Sequence, residues 1–129
     1  YPGTGTSTRL YSHSGGVLNA PMPPGSGEEE YLKVFRGQLQ DQVNMFMPEF
    51  VLMSVGFDAH KDDPLGDIML EDDTFYEMTK VIVDYADMYC DGKIVSTLEG
   101  GYNLKALASG AARHVDALLE AGKRDIPSY

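Results

Sequence analysis

Residues 48–65 read Pro-Glu-Phe-Val-Leu-Met-Ser-Val-Gly-Phe-Asp-Ala-His-Lys-Asp-Asp-Pro-Leu. The apolar run 50–55, bounded by Pro48 and Gly56, is typical of a strand covered on both faces, as in a parallel sheet. Asp58 follows the carboxyl end of this strand, where open α/β sheets bind their ligands. The position makes Asp58 a candidate site residue, although an Asp after a strand is more commonly a turn former or a helix cap.

The composition is that of one globular domain. The chain has 129 residues, of which 43% are hydrophobic. Its 10 Lys and Arg stand against 20 Asp and Glu, a formal net charge of -10 that disfavours direct binding to DNA, RNA or an anionic membrane. The single cysteine, Cys90, excludes an internal disulfide and favours an intracellular, cytoplasmic setting. No apolar run approaches the ~18 residues that span a bilayer.

The sequence predicts three strands, each followed by a helix. Ser26 and Glu29 have capping-box spacing at the start of the first helix. Alternation of this kind implies a parallel sheet, with the loops after Gly56 and Leu98 at one carboxyl edge. The predicted order is strand 17–22, helix 28–46, strand 50–55, a helix from 72–74 to Gly92, strand 93–98, and a helix from Asn103 to Gly122.

Each predicted helix carries apolar residues at spacings of three and four, which predicts one buried stripe per helix. In chain order the stripes are Leu32, Phe35, Leu39, Val43 and Phe46; Phe75, Met78, Ile82, Tyr85 and Tyr89; Leu104, Leu107, Ala111, Val115 and Leu118.

Several side chains near Asp58 are candidate metal ligands. A catalytic zinc usually takes three protein ligands, and His60 is close enough in sequence to point the same way as Asp58. An exposed loop histidine is the commoner state, however. Asp62 and Asp63 precede a proline and are predicted to fix the turn through local backbone amides. The other histidines are interpreted as surface or helix-face residues: His13 and His114.

A second candidate group is Gly-Gly-Tyr at residues 100–102. Gly100 and Gly101 allow a close backbone approach or positive φ, and the Tyr102 hydroxyl suits donation to a developing oxyanion. The segment lacks the longer glycine pattern and the lysine of nucleotide motifs. A tight turn with a packed tyrosine explains the same residues.

Four segments, in this order, resemble the histone deacetylase superfamily. The motifs are most similar to those of the class II and bacterial deacetylase-like amidohydrolases. The resemblance implies a three-layer parallel α/β sheet with flanking helices, of the arginase-deacetylase type and incomplete here, with residues 1–129 as the C-terminal portion of one catalytic domain. The segments are Tyr-Pro-Gly-Thr-Gly (1–5), Asn-Ala-Pro-Met-Pro-Pro-Gly-Ser-Gly (19–27), Gly-Phe-Asp-Ala-His-Lys-Asp-Asp-Pro-Leu (56–65) and Glu-Gly-Gly-Tyr-Asn-Leu (99–104).

The resemblance also implies an activity, the zinc-dependent hydrolysis of an acetyl or other acyl amide on lysine side chains or small amines. In the family mechanism zinc (Zn²⁺) polarises the amide carbonyl and activates a water. Asp58 matches the second aspartate ligand, and Tyr102 matches the tyrosine that hydrogen-bonds the acyl carbonyl and its tetrahedral intermediate. The resemblance assigns the substrate channel to Leu65, Gly100, Gly101 and, as an aromatic wall, Tyr1.

The family's other two zinc ligands and its paired catalytic histidines lie upstream of the first segment. Residues 1–129 are therefore expected to supply one ligand of three, and to neither hold zinc tightly nor hydrolyse amides alone. Without the missing N-terminal part, exposed strand edges and apolar stripes would favour self-association.

Two other functions compete with the enzyme. A receiver-type signalling domain could use Asp58 as phosphoacceptor, but it needs an acidic pair after its first strand and a lysine after a late one. The corresponding places here hold residues 20–24 and Glu99. A catalytically dead deacetylase relative that serves as an interaction module is the other alternative.

Overall fold

The computed structural model describes Gly5 and residues 16–121, so Tyr1, His13 and the tail from residue 122 lie outside the described part. None of the helices within this part is long and apolar enough to cross a membrane. The elements are α1 (Glu28–Val34), a π-helical segment (Phe35–Leu39), α2 (Gln40–Phe46), β1 (Val51–Val55), α3 (Asp72–Cys90), β2 (Ile94–Leu98) and α4 (Leu104–Ala121).

The two strands pair in parallel, with Val51 opposite Ile94 and Val55 opposite Leu98. This confirms the strands predicted at 50–55 and 93–98 to within one residue. The connection between them runs through α3, so β1, α3 and β2 form a β-α-β unit.

The strand predicted at 17–22 is wrong. Only Val17 makes an isolated bridge, and residues 18–22 have no regular structure. Pro21 interrupts the run, and a proline lacks the N–H that a ladder hydrogen bond requires.

The predicted helix 28–46 is continuous along the chain but changes pitch at the π-helical segment, which has Gly37 at its centre. It begins at Glu28, as predicted, but its N-cap is Gly27, one residue after the predicted Ser26. The Gly27 N–H donates to the Glu30 carboxylate at 2.9 Å, whereas the Ser26 hydroxyl donates to the Pro23 carbonyl at 2.7 Å. Because it bonds the Pro23 carbonyl, the Ser26 hydroxyl does not cap the helix.

The core lies beneath the carboxyl end of the sheet. Phe57, Leu70 and Phe75 are buried together, and the rings of Phe57 and Phe75 have centroids 5.0 Å apart. The first of these residues directly precedes Asp58 in the chain, so packing in this core fixes the backbone that carries the candidate acid. Half-buried side chains complete the cluster: Tyr31, Val55, Ala59, Ile68, Met78, Leu107 and Ala111.

The stripe predicted for α4 is rotated in the structure. Leu104 is 79% exposed and Val115 is 47% exposed. Small residues occupy the buried face instead, because they allow α4 to pack closely: a β-carbon on Gly110 would lie 2.9 Å from Phe57 Cδ1. The fully buried positions of α4 are Ala106, Gly110, His114 and Ala117.

His114 is buried, so its interpretation as a surface residue is wrong. Thr79 Oγ1 donates to the Phe75 carbonyl and therefore accepts from His114 Nδ1, at 2.6 Å. His114 Nε2 is then the acceptor for the Ser96 hydroxyl, at 2.8 Å. The imidazole thus joins α3, β2 and α4, and burial holds its pKa below the ordinary value.

The described residues leave one face of the sheet open. The helices cover the face that carries Met53 and Ser96, which lie opposite each other. On the other face, the cross-strand pair Leu52 and Val95 is 68% and 50% exposed. The sequence predicted a sheet with both faces covered, but within residues 16–121 only one face is covered.

Candidate active site

Two loops meet at the carboxyl edge of the sheet, as the alternation of strands and helices predicts. The Phe57 N–H donates to the Gly100 carbonyl at 2.8 Å, and the Glu99 N–H donates to the Val55 carbonyl at 3.0 Å. These bonds continue the parallel pairing beyond the last ladder residues. Asp58 and Tyr102 are consequently carried by adjacent loops.

Glycines surround the half-buried carboxylate of Asp58. A β-carbon on Gly100 would lie 2.9 Å from both carboxylate oxygens, and one on Gly56 would lie 2.5 Å from Oδ1. A β-carbon on Gly66 would overlap the carbonyl oxygen of Asp58 itself. The three glycines hold space around Asp58 that no side chain could share.

Tyr31 of α1 lies near this carboxylate. Burial raises the pKa of Tyr31, and the negative charge of Asp58 raises it further. The sequence offered no signal for this residue, because Tyr31 is outside the apolar stripe predicted for its helix.

Tyr102 is 58% exposed, so its hydroxyl-bearing ring is accessible at the edge of the site. Gly101 before it has φ of 133°, a conformation that favours glycine. A β-carbon there would lie 3.1 Å from Phe57 Cβ. The second glycine of Gly-Gly-Tyr thus allows the loop to pass against the core residue next to Asp58.

Asp63 ties the two loops together. Its Oδ1 accepts the N–H groups of Leu65, at 2.9 Å, and Gly66, at 3.3 Å, which confirms the predicted turn-forming role. Its Oδ2 accepts the N–H of Tyr102 at 2.8 Å, a contact that the sequence did not predict. Burial alone would raise the pKa of Asp63, but hydrogen bonds from Tyr102, Leu65 and neighbouring amides outweigh it and lower the pKa.

Asn103 anchors the end of the second loop. Its Oδ1 accepts the N–H groups of Lys105, at 3.0 Å, and Ala106, at 3.2 Å, which confirms the predicted cap of α4. Its Nδ2 donates to the Asp62 carbonyl at 2.9 Å. The cap thereby joins α4 to the loop that carries Asp58.

His60 is 4% exposed, so its interpretation as an exposed loop residue is wrong. The Asp62 N–H donates to Nδ1 at 3.0 Å, and Nε2 lies 3.3 Å from Asp72 Oδ1 at the start of α3. The ring also stacks on Phe75, with centroids 6.3 Å apart. These contacts give His60 a structural role in the loop, although it is only two residues from Asp58.

Asp58 suits one position in a metal site. Its half-buried carboxylate is closely approached by Gly56 and Gly100, and a carboxylate oxygen is one of the ligand types that zinc takes. Within residues 16–121 and Gly5, no three or more His, Cys, Asp or Glu side chains are grouped to hold a metal ion. Of the other predicted site residues, Leu65 is 73% exposed on the Asp58 loop, and Tyr1 lies outside the described residues.

Comparison with known proteins supplies the family. The profile described as "Histone deacetylase domain" matches residues 1–118. "Histone deacetylase 14, chloroplastic" of Arabidopsis thaliana is 38% identical over 135 aligned residues, covering 100% of this chain and 32% of that protein. The "Probable deacetylase" of Archaeoglobus fulgidus is 37% identical over 107 residues, covering 81% of this chain and 30% of that protein.

The crystal structure of the "HDA15 HD domain" superposes with a TM-score of 0.81 at 34% identity. The match covers 99% of this chain and 35% of that one. The chain thus spans about a third of the length of these three relatives. With a profile match over most of its length and a similar solved structure, the chain belongs to the histone deacetylase family and carries part of the arginase-deacetylase fold.

Proposed function

We propose that this chain contributes to a zinc-dependent hydrolase that removes an acetyl or other acyl group from a lysine side chain or a small amine. The observation that carries the proposal is the glycine-lined carboxylate of Asp58, next to the loop that bears Tyr102. A bound zinc ion supplies Lewis-acid activation of the amide carbonyl and of water.

Residues of this chain would bind the zinc ion, the acyl oxygen and the acyl chain of the substrate. Asp58 would provide one carboxylate ligand. The Tyr102 hydroxyl would donate a hydrogen bond to the oxygen on which negative charge develops, and its accessible ring permits this. Leu65, on the same loop as Asp58, would contribute apolar lining to the acyl channel, with Gly100 and Gly101 at its base.

The proposed activity belongs to a complete domain, of which residues 1–129 form the C-terminal portion. Two observations support this. The chain spans about a third of each relative, and the open sheet face exposes Leu52 and Val95. A parallel sheet is normally covered on both faces. The further zinc ligands and the general base would come from the rest of the domain.

Family membership excludes the receiver-type alternative but leaves the interaction module, because a relative that has lost its zinc ligands would keep the same fold. Metal content and turnover distinguish the two. The intracellular, cytoplasmic location also stays a prediction. One of the relatives is named as chloroplastic.

The test compares the protein encoded by the whole reading frame with the 129-residue chain, using an acetyl-lysine reporter and zinc analysis. We expect turnover and zinc only in the former. Tyr102→Phe should lower kcat by about 10²- to 10³-fold, and Asp58→Asn should remove zinc. Tyr89→Phe is the matched control, since the Tyr89 hydroxyl bonds Asn44 instead. Full turnover by Tyr102→Phe, or by the 129-residue chain alone, would contradict the proposal.

A further inference from the structure

Asp63 contacts both loops of the candidate site through different oxygens. Oδ1 faces its own loop, where it accepts from Leu65 and Gly66. Oδ2 crosses to the other loop and accepts the N–H of Tyr102, 39 residues further along the chain. A turn former needs only the first set of bonds, so the second has a separate structural effect.

The hydrogen bond from the Tyr102 N–H to Asp63 is strong because its acceptor is a buried carboxylate. Asp63 is only 7% exposed, and its acceptors face backbone donors at distances of 2.8 to 3.3 Å. Hydrogen bonds to an ionised, buried carboxylate are roughly twice as strong as those between neutral groups. Their stabilisation of the charged form is consistent with the lowered pKa of Asp63.

The place where Asp63 holds the second loop matters for Tyr102. Gly100 and Gly101 precede the tyrosine, and glycines restrict backbone torsions least. The neighbour on the other side, Asn103, is fixed by the cap of α4 and by the Asp62 carbonyl. The amide of Tyr102 lies between the two glycines and the cap of α4, and its N–H donates to Asp63.

We propose that Asp63 is a positioning residue for Tyr102, holding the backbone from which the hydroxyl reaches the acyl oxygen; this rests on the proposed deacylase function. A side chain that must meet a developing oxyanion tolerates little displacement, because misplacement by about 1 Å can cost 10²-fold in rate. Asp63 touches neither substrate nor metal in this scheme. It acts only through the loop geometry.

The first test is a double-mutant cycle in the complete protein with an acetyl-lysine reporter. Asp63→Asn keeps the shape of the side chain but removes the charge and one acceptor oxygen. We expect it to lower kcat by about 10-fold or more with a smaller change in KM and with zinc retained. In a Tyr102→Phe background the same change should cost less than about 3-fold, because the hydroxyl that Asp63 positions is already absent.

The matched control is Asp62→Asn, whose side chain is 63% exposed. This control should leave kcat within about 2-fold, as surface substitutions usually do. Equal losses from Asp63→Asn with and without the Tyr102 hydroxyl would overturn the proposal, as would a loss of kcat from Asp62→Asn of the same size.

The second test does not depend on activity. Hydrogen exchange at the Tyr102 amide, measured in the same protein, should accelerate by about 10-fold or more in Asp63→Asn, since a hydrogen bond to a charged acceptor is stronger than one to a neutral acceptor. The Asp62→Asn control should match the wild type. If Asp63→Asn fails to fold, Asp63→Glu serves instead, because it keeps the charge and shifts the carboxylate by one methylene. Unchanged exchange would reject the positioning role, whereas accelerated exchange in a protein without turnover would reject only the proposed function.

Discussion

Gly100 lies so close to the carboxylate of Asp58 that a β-carbon on it would approach both carboxylate oxygens to 2.9 Å. Gly100→Ala should therefore displace Asp58 and lower zinc content and kcat of the complete protein by about 10-fold or more, because ligand geometry is strict. The measurement is metal analysis with reporter kinetics. Gly37→Ala is the control, since its β-carbon would meet nothing within 4 Å. Normal zinc content and kcat in Gly100→Ala would contradict this prediction.

Gly110→Ala tests the close approach of α4 to the core. Its β-carbon would lie 2.9 Å from Phe57 Cδ1 and 3.3 Å from Phe75 Cδ2. Overpacking costs typically 1–3 kcal/mol, while replacing a helical glycine by alanine gains about 1 kcal/mol. The expected net loss is about 1 kcal/mol in the free energy of unfolding, measured with urea.

Gly37→Ala again provides the comparison for Gly110→Ala, since it changes a helical glycine without adding a clash. It should leave stability unchanged or raise it. An increase of the same size in Gly110→Ala would mean that the helix adapts to the added methyl group.

His114 predicts a dependence of stability on pH. Burial lowers its pKa, so as pH falls below the ordinary value near 6.5 the unfolded chain takes up a proton that the folded chain does not. Stability contributed by the neutral imidazole is complete above that pH and is lost as pH falls toward the folded pKa, by at most about 1.4 kcal/mol per pH unit. Urea unfolding between pH 8 and pH 5 measures this slope.

The variant His114→Gln isolates this contribution, because glutamine can still bond Thr79 or Ser96 but does not titrate. It should be less stable than the wild type at pH 8 and have a flatter slope below pH 6.5. An identical slope in both proteins would assign the dependence to other groups.

The open sheet face predicts self-association of the 129-residue chain. Leu52 and Val95 form an exposed apolar pair across the two strands, and such surface drives association. Replacing both by threonine keeps β-propensity and removes the apolar contact. Sedimentation velocity should show concentration-dependent association that decreases in this double variant but not in Ser54→Thr, on the same strand. A wild-type chain that remains monomeric at high concentration would contradict this.

The sequence predicted best where a feature is local. The runs that became β1 and β2 are short, apolar and bounded, and Asn103 caps α4 through residues only two and three positions away. The alternation of strands and helices also predicted that the loops carrying Asp58 and Tyr102 lie at the same edge of the sheet.

Two errors are local and come from Pro21 and Pro23, but the others concern contacts between distant segments. Burial of His60 depends on Asp72 and Phe75, and burial of His114 depends on Thr79 and Ser96. Periodicity predicted an apolar stripe on α4. It could not predict that small residues of α4 face the core instead, because this packing depends on the ring of Phe57. The bond from Asp63 to Tyr102 joins residues 39 apart, beyond any spacing rule.

That same separation has a kinetic consequence. The loop closed by Asp63 and Tyr102 encloses α3 and β2, so we expect the contact to form only after these elements have docked on β1. Contacts of large sequence separation carry a closure entropy that must be met before they contribute stability. A nascent chain with its helices already formed would still lack an ordered Tyr102 loop, so competence to act on substrate would arise only with the last steps of assembly.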